Sequence, residues 1–473
     1  MIFQSLDFLV FLVVAVAVYW LLRGDARKWF LLGASYLFFG YVHPWFLLLL
    51  WYVTLVVYGC GLLIQASARH RKAILVAGIC GCLALLGVFK YFHFFVDNAV
   101  TALNALGIPA STLAIRIFLP AGISFFAFQG MSYLVDVYRG TIQARREFLD
   151  VALFKAFFPQ LVAGPIERAS HLLPQLEGER RLRIEQFMDG VFLLIWGFFK
   201  KLVVADNVAV VANKVFALEQ PGFPVLWAGV FAFCMQIFAD FSAYTDIARG
   251  TAKLFGIDLI ENFRHPYLAQ TPMDFWRRWH ISLSTWFRDY VYIPLGGNRV
   301  GRLLEARNIL ITFLLSGLWH GASWNFVLWG GYWGLLIVIY RFVGERIPAR
   351  VATLPGAAAG RIVLMFVLTN IGWLLFRETD LHYLWKYLRL SPGDATPLEW
   401  QAGLYFAGLV FVYSVPLIVH MWIDRNREEG EVAARPAIGY DLLAVRAATA
   451  TGLLGATLLL RTATSADFIY FQF

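Results

Sequence analysis

Charge is what this chain has least of. Only 15% of its 473 residues are Asp, Glu, Lys or Arg, 60% are hydrophobic, and the mean hydropathy is +0.64. A soluble domain carries roughly 25% charged and about 45–50% apolar residues, so the composition excludes a soluble globular fold and implies a polytopic membrane protein. Apolar runs of near-spanning length recur along almost the whole chain and leave no room for a large soluble domain. The net charge of +9 is not a nucleic-acid footprint, because the basic residues fall in short clusters between apolar runs. Cysteine is scarce as well. Cys60, Cys80, Cys82 and Cys234 lie inside apolar segments without metal-ligand spacing and read as buried free thiols. A basic leader and a small-residue cleavage site are both missing from the first apolar run, 8–22, which reads as a first spanning helix and not as a cleaved signal.

Several catalytic signatures are absent too. There is no HExxH and no His/Asp cluster at ligand spacing, so no metal site is expected. The lack of a nucleophile elbow and of a GxxxxGK[ST] loop speaks against a covalent serine mechanism and a nucleotide motor. No internal repeat is visible, which weakens an inverted-repeat transporter reading.

What is present is a series of apolar segments at 8–22, 29–41, 45–64, 73–95, 118–137, 187–199, 223–238, 308–319, 325–340, 361–376, 404–421 and 442–460. Basic loops at 23–28, 69–72 and 139–146 alternate with a nearly uncharged loop at 97–111, which places the basic loops in the cytoplasm and the N-terminus outside. Residues 154–162 are too short to span and are interrupted by Pro159, Gly164 and Pro165, the pattern of a re-entrant element. The charged run 177–185 reads as a cytoplasmic surface helix, and Lys200-Lys201 as the end of a span. The expectation is an all-α fold of about ten to twelve transmembrane and re-entrant helices. It forms a single membrane domain, 1–473: N-terminal helices 8–97, a core at about 118–340, C-terminal helices 361–460 and an aromatic tail 465–473.

Ionisable groups at membrane depth are costly and, where kept, are usually functional. Residues 271–330 concentrate them. Thr271 and Pro272 resemble a helix start, and on the helix that follows Trp276 and Ser284 flank His280 at i−4 and i+4. A turn, Leu295-Gly296-Gly297-Asn298, leads to the segment ending Ser316, Trp319, His320, with Gly321 allowing close approach of a substrate to the imidazole. Acyl transfer needs a base that is neutral at pH 7 and takes a proton from a hydroxyl; histidine meets this, and apolar surroundings favour its uncharged form. The competing reading is a core histidine bonded to a backbone carbonyl, or, for His280 beside Arg277 and Arg278, a solvated interfacial one. Arg277, Arg278 and Arg288 suit either the phosphates of a coenzyme donor or anionic lipid headgroups. Upstream, Asp240/Tyr244 and Ser242/Asp246 form two i,i+4 pairs on one helix face, read either as a functional face or as a polar helix end.

Four stretches carry a resemblance: GISFFAFQGMSYLVDVYRG, FFPQLVAGPIER, WRRWHISLSTWFRDYVYIPLGGNR and SGLWHG, together with the tail FIYFQF. They are similar to the membrane-bound O-acyltransferase (MBOAT) superfamily, in particular its bacterial branch of alginate O-acetyltransferase membrane subunits, over about residues 8–340. The resemblance implies a ring of helices around a central funnel or tunnel, with His320 as the catalytic histidine and His280 as a second functional one. It also implies an acyl thioester such as acetyl-CoA, or a carrier-protein thioester, as donor substrate, with no tightly bound cofactor. The implied partners are a periplasmic SGNH-hydrolase-type acetyltransferase or polysaccharide-modifying complex and membrane lipids, in the bacterial inner membrane. Trp276, Arg277, Trp279, Ser316, Trp319, Asp240, Tyr244 and Asn262 make up the expected substrate-binding set. The competing readings are a D-alanyl or other acyl transferase of the same superfamily acting on a different cell-envelope polymer, a non-catalytic transporter or export channel, and a scaffold for a periplasmic transferase.

Overall fold

The computed structural model describes all residues except 113–116, 119, 121, 162–163, 345–355, 431–442, 463–467 and 470–473. Its regular structure is helical throughout, with no β-strand among the described residues. The first helices are α1 (Leu6–Leu21), α2 (Asp25–Gly40), α3 (Phe46–Ala66) and α4 (Arg71–Leu86), which runs through a π-turn at Gly87–Tyr91 into α5 (Phe92–Ala105). Then come α6 (Ile123–Arg139), the broken pair α7 (Phe148–Ala156) and α8 (Phe158–Leu161), and α9 (Ala169–Glu177). Next, α10 (Ile184–Phe199) continues through a π-turn at Lys200–Ala205 into α11 (Asp206–Phe216), and α12 (Phe223–Leu254) follows. Two short helices, α13 (Pro272–Arg278) and α14 (Ile281–Phe287), precede α15 (Arg302–His320) and α16 (Trp324–Gly344). The chain closes with α17 (Ala357–Arg377), α18 (Leu381–Tyr387), α19 (Pro397–Gly430) and α20 (Leu443–Leu460). Two compact units emerge: Met1–Val191 with Ile247–Ile260, and Phe192–Asp246 with Glu261–Phe473.

Among the described residues, six helices are long and apolar enough to cross a membrane: Phe46–Ala66, Arg71–Ala105, Phe223–Leu254, Trp324–Gly344, Ala357–Arg377 and Pro397–Asp424. The protein is thus a multi-pass membrane protein. Sequence patterning counts more spans, because helices such as α6 and α10 are apolar but only 17 and 16 residues long. In α3 the membrane signature is legible residue by residue. Leu50, Val53, Thr54, Val57, Gly61 and Ile64 are buried at helical spacing, while Leu48, Leu55 and Leu63 are 53–70% exposed. A helix that is apolar on both faces belongs in lipid. α12 is different, with 89% of its apolar window inside the protein.

Three expectations about boundaries are corrected. Residues 97–105 belong to α5, since their apolar composition lets the helix run on. The run 178–183 is not helical: α9 stops at Gly178, and Arg27 Nη1 donates to the Arg180 carbonyl while Arg180 reaches the Gly256 carbonyl, tying the charged run down as a loop. Finally, neither Lys200 nor Phe238 ends a helix, because the polar groups that follow each find partners inside the protein, as described below.

Close packing sets the geometry of the α15–α16 hairpin. A Cβ added at Gly317 would lie under 3.0 Å from the Phe326 carbonyl, and one at Gly330 under 3.0 Å from the Phe313 carbonyl. Small residues let membrane helices approach backbone to backbone, where dispersion and not hydrophobic burial drives association. The two helices run antiparallel in contact, and His320 sits at the end of the first.

Candidate active site

The site is built from two segments of the second unit, each of which delivers one histidine. Thr271 Oγ1 accepts the Asp274 amide at 3.1 Å and Pro272 occupies the first helical position, so α13 starts where its local chemistry directs. Asp274 and Arg278 close it with an ion pair of 2.7 Å. The helix then breaks. Trp279 is extended, and His280 adopts φ +41°, one of two non-glycine residues in the left-handed region among the described residues. The expectation that Trp276, His280 and Ser284 share one continuous helix is therefore overturned, and the cause is distant in sequence. Asn262 accepts the Ile281 amide on its carbonyl (3.0 Å) and the Ser282 amide on Oδ1 (3.2 Å), while the Arg264 amide donates to the Arg278 carbonyl (2.9 Å). These bonds hold the two amides after His280 and offset a backbone strain of about 1–3 kcal/mol. Strain of this sort clusters at functional sites.

His320, 4% exposed, is the last residue of α15, and His280 is fully buried. Edges of three aromatic rings surround the His320 imidazole: Trp329 at 4.9 Å and 81°, Phe376 at 5.2 Å and 77°, and its neighbour Trp319 at 5.0 Å and 80°. The Trp319 indole also lies 5.9 Å from the His280 ring, whose other side meets Phe241 at 4.6 Å. One indole thus touches both imidazoles. Trp276 packs edge-on against Trp329 and Trp333, and Trp279 lies against Trp373, so the tryptophans of the two segments form one continuous aromatic shell. Gly321 has another use than the one expected. A Cβ there would run into the Phe326 ring, so the glycine makes room for that phenyl and not for a substrate.

A third component escaped the sequence reading. Lys200 and Lys201, adjacent in the π-turn, are 3% and 1% exposed. Lys200 Nζ donates to Ser242 Oγ (2.9 Å) and Asp246 (2.7 Å), while Lys201 Nζ lies 2.8 Å from Asp206 and 3.0 Å from Asp240. Each lysine serves one of the two i,i+4 pairs of α12, and Lys201 also sits over the Tyr244 ring. The polar face is therefore the middle of a long helix and not its end. Asp240 Oδ2 accepts the Ile469 amide (2.8 Å), and Phe468 stacks on Tyr244 at 3.9 Å. The unpaired-looking α12 face was the signal that buried cations had to exist.

The profile of the MBOAT, membrane-bound O-acyltransferase family, matches residues 144–372. The probable alginate O-acetylase AlgI of Pseudomonas syringae pv. tomato is 40% identical, covering 92% of this chain and 85% of that protein. The chain belongs to the MBOAT family. The probable alginate O-acetylase AlgI of Azotobacter vinelandii is 35% identical over the full length of both chains, and the peptidoglycan O-acetyltransferase of Helicobacter pylori 33% identical over 80% of this chain and 77% of its own. This MBOAT protein is accordingly an O-acyltransferase.

The family match spans both histidines, Asn262 and the lysine–aspartate network. Of the other residues expected at an MBOAT site, Trp276, Trp279 and Trp319 lie in the aromatic shell, and Ser316 is buried one turn before His320. Arg277 is not brought there; its side chain is exposed. Arg288 is paired with its neighbour Asp289. Of the tail, only Phe468 and Ile469 fall within the described residues, and both are fully buried. No His/Cys/Asp/Glu group suited to a metal ion occurs among the described residues.

Proposed function

We propose that this acyltransferase takes an acetyl group from a cytoplasmic thioester, acetyl-CoA or a carrier-bound equivalent, and passes it across the inner membrane for O-acetylation of a secreted polysaccharide such as alginate. In this reading His320 is the general base. Its imidazole takes the proton of an acceptor hydroxyl as the oxygen attacks the thioester carbonyl. The tetrahedral oxyanion collapses, the C–S bond breaks, and the thiolate leaves with the proton that the imidazolium returns. His280 orients the donor or stabilises the oxyanion, and the dry aromatic shell suppresses hydrolysis of the thioester. The observation that carries the reading is the single indole of Trp319 in contact with both imidazoles. The names of the relatives favour alginate as acceptor, with a periplasmic SGNH-type transferase or modifying complex receiving the group. The N-terminus faces the periplasm, and Arg277 meets lipid headgroups or donor phosphates at the cytoplasmic surface.

General-base assistance is worth about 10²–10⁴-fold, so His320→Ala should abolish most acetylation of the secreted polysaccharide at unchanged protein level in the membrane. Near wild-type acetylation removes His320 from the mechanism. Thioester turnover by purified protein in detergent, with a hydroxyl acceptor present, separates catalysis from export without chemistry.

A further inference from the structure

Within the first unit, a cavity of about 430 Å³ opens beside the loop that joins α1 to α2. Its size falls within the roughly 300–1,000 Å³ of small-molecule sites. Arg23, Arg27, Lys28 and Arg180 line it, with Asp25 and Glu179 among the other lining residues. None of the three arginines makes an ion pair with a carboxylate among the described residues, although the charge of Asp258 acts on Arg180. Arg27 donates from Nε to the Leu22 carbonyl (2.6 Å) and from Nη1 to the Arg180 carbonyl (2.8 Å), and its guanidinium rests over the Tyr19 and Trp20 rings at 5.2 and 5.0 Å. A guanidinium has five N–H donors, so Arg27 is fixed in orientation with three still to place. Arg180 has one long bond, 3.4 Å, to the Gly256 carbonyl, and its Nε is buried without a partner among the described residues. Burial lowers its pKa, and the nearby Tyr19 and Asp258 offset this only in part. Arg23 makes no hydrogen bond or ion pair among the described residues. Lys28, by contrast, is already matched by Asp150 at 2.8 Å, and the lining carboxylate of Glu177 is engaged by Arg145.

We propose that this cavity binds a phosphate group, through Arg23, Arg27 and Arg180. Planar forks held in place by carbonyls and rings match phosphate oxygens bidentately, with little entropy lost on binding. The loop connects two apolar helices, so the phosphate comes either from the headgroup of an anionic lipid or from a soluble phosphate compound. Its lining residues all belong to the first unit, and the proposal does not depend on the donor or acceptor assigned above.

The test uses the full-length protein purified in a neutral detergent and titrated separately with short-chain phosphatidylglycerol and with inorganic pyrophosphate, binding being read by calorimetry. At least one probe should bind, and the one that does identifies the source; binding of both assigns the shared phosphate as the recognised group. Arg23→Gln and Arg180→Gln should each weaken that binding about tenfold, and Asp25→Asn, on an exposed side chain, should strengthen it. The Asp25→Asn arm is a gain and so cannot arise from misfolding. Absence of binding by either probe up to about 1 mM, or affinities unchanged across Arg23→Gln and Asp25→Asn, overturns the proposal.

Discussion

Lys201 offers the sharpest test of the lysine–aspartate network. Its ammonium lies 2.8 Å from Asp206 and 3.0 Å from Asp240, and all three side chains are at most 2% exposed. Replacing Lys201 with Met keeps much of the side-chain volume but removes the cation from two carboxylates that have no water to fall back on. Breaking a buried ion pair from one side costs about 3–5 kcal/mol, because the surviving charge is left uncompensated. The folded protein's entropy of unfolding, at about 2.1 cal/mol/K per residue, comes to about 1 kcal/mol/K for a chain of this length. The melting temperature in detergent should therefore drop by about 3–5 °C, read by fluorescence-detected size exclusion after heating. Adding Asp240→Asn to Lys201→Met removes one orphaned charge and should restore part of the loss, since an apolar or neutral replacement of a whole buried pair is often tolerated. The restoration should stay incomplete, because Asp206 is still charged. If Lys201→Met melts with the wild type, or if the second substitution makes matters worse, the network is not the electrostatic unit described here.

Three further expectations follow from particular contacts. Gly330→Ala forces a Cβ against the Phe313 backbone and should cost about 1–3 kcal/mol by overpacking, whereas Gly360→Ala, with nothing within 4 Å, should be neutral or stabilising; equal melting of the two variants refutes the helix-contact argument. Asn262→Ala frees the Ser282 amide and loosens His280, so turnover should drop up to about 10²-fold with the donor KM little changed; a pure KM effect would place Asn262 on the substrate instead. His171 Nδ1 lies 2.7 Å from Glu167, which raises the imidazole pKa above its usual 6.5. A raised pKa means this contribution to stability is fully present below about pH 6.5 and is lost as pH rises through the folded value. The melting difference between wild type and His171→Gln should therefore shrink from pH 5.5 to pH 8.5. The ring is 41% exposed and the effect correspondingly modest; a difference that grows with pH contradicts it.

What could be read from the chain alone was whatever is decided locally. The Thr271–Pro272 helix start, the double-glycine turn at Gly296-Gly297 (φ +110° and +56°) and the break at Gly321 all depend on neighbours within a few positions, and all three are found where the pattern puts them. The misreadings share one cause. Lys200-Lys201 looks like a helix end because a pair of cations after an apolar run normally meets water, and besides the nearby Asp206 the carboxylates that make burial tolerable, Asp240 and Asp246, lie some 40 positions later in the chain. His280 looks helical because Trp276 and Ser284 have the right spacing, and the bonds that break the helix come from Asn262. Gly321 looks like access to a ring, and Phe326 occupies the space. The aromatic shell lies between these cases: its tryptophans were visible, but not that one indole would serve both imidazoles.

The neighbouring lysines have a bearing on how the helices find their alignment. In lipid, one greasy helix sliding past another exchanges similar dispersion contacts and meets little resistance. A slip of α12 by one turn, about 5.4 Å, would carry Gln236 or Tyr244 into the place of Asp240, and Ser242 or Gly250 into that of Asp246. Lys201 would then keep Asp206 but lose its α12 carboxylate, and Lys200 would lose its 2.7 Å contact with Asp246. Two charges side by side on one strand of the lock, each answering a different notch on the other, leave a single seating at which both notches are filled.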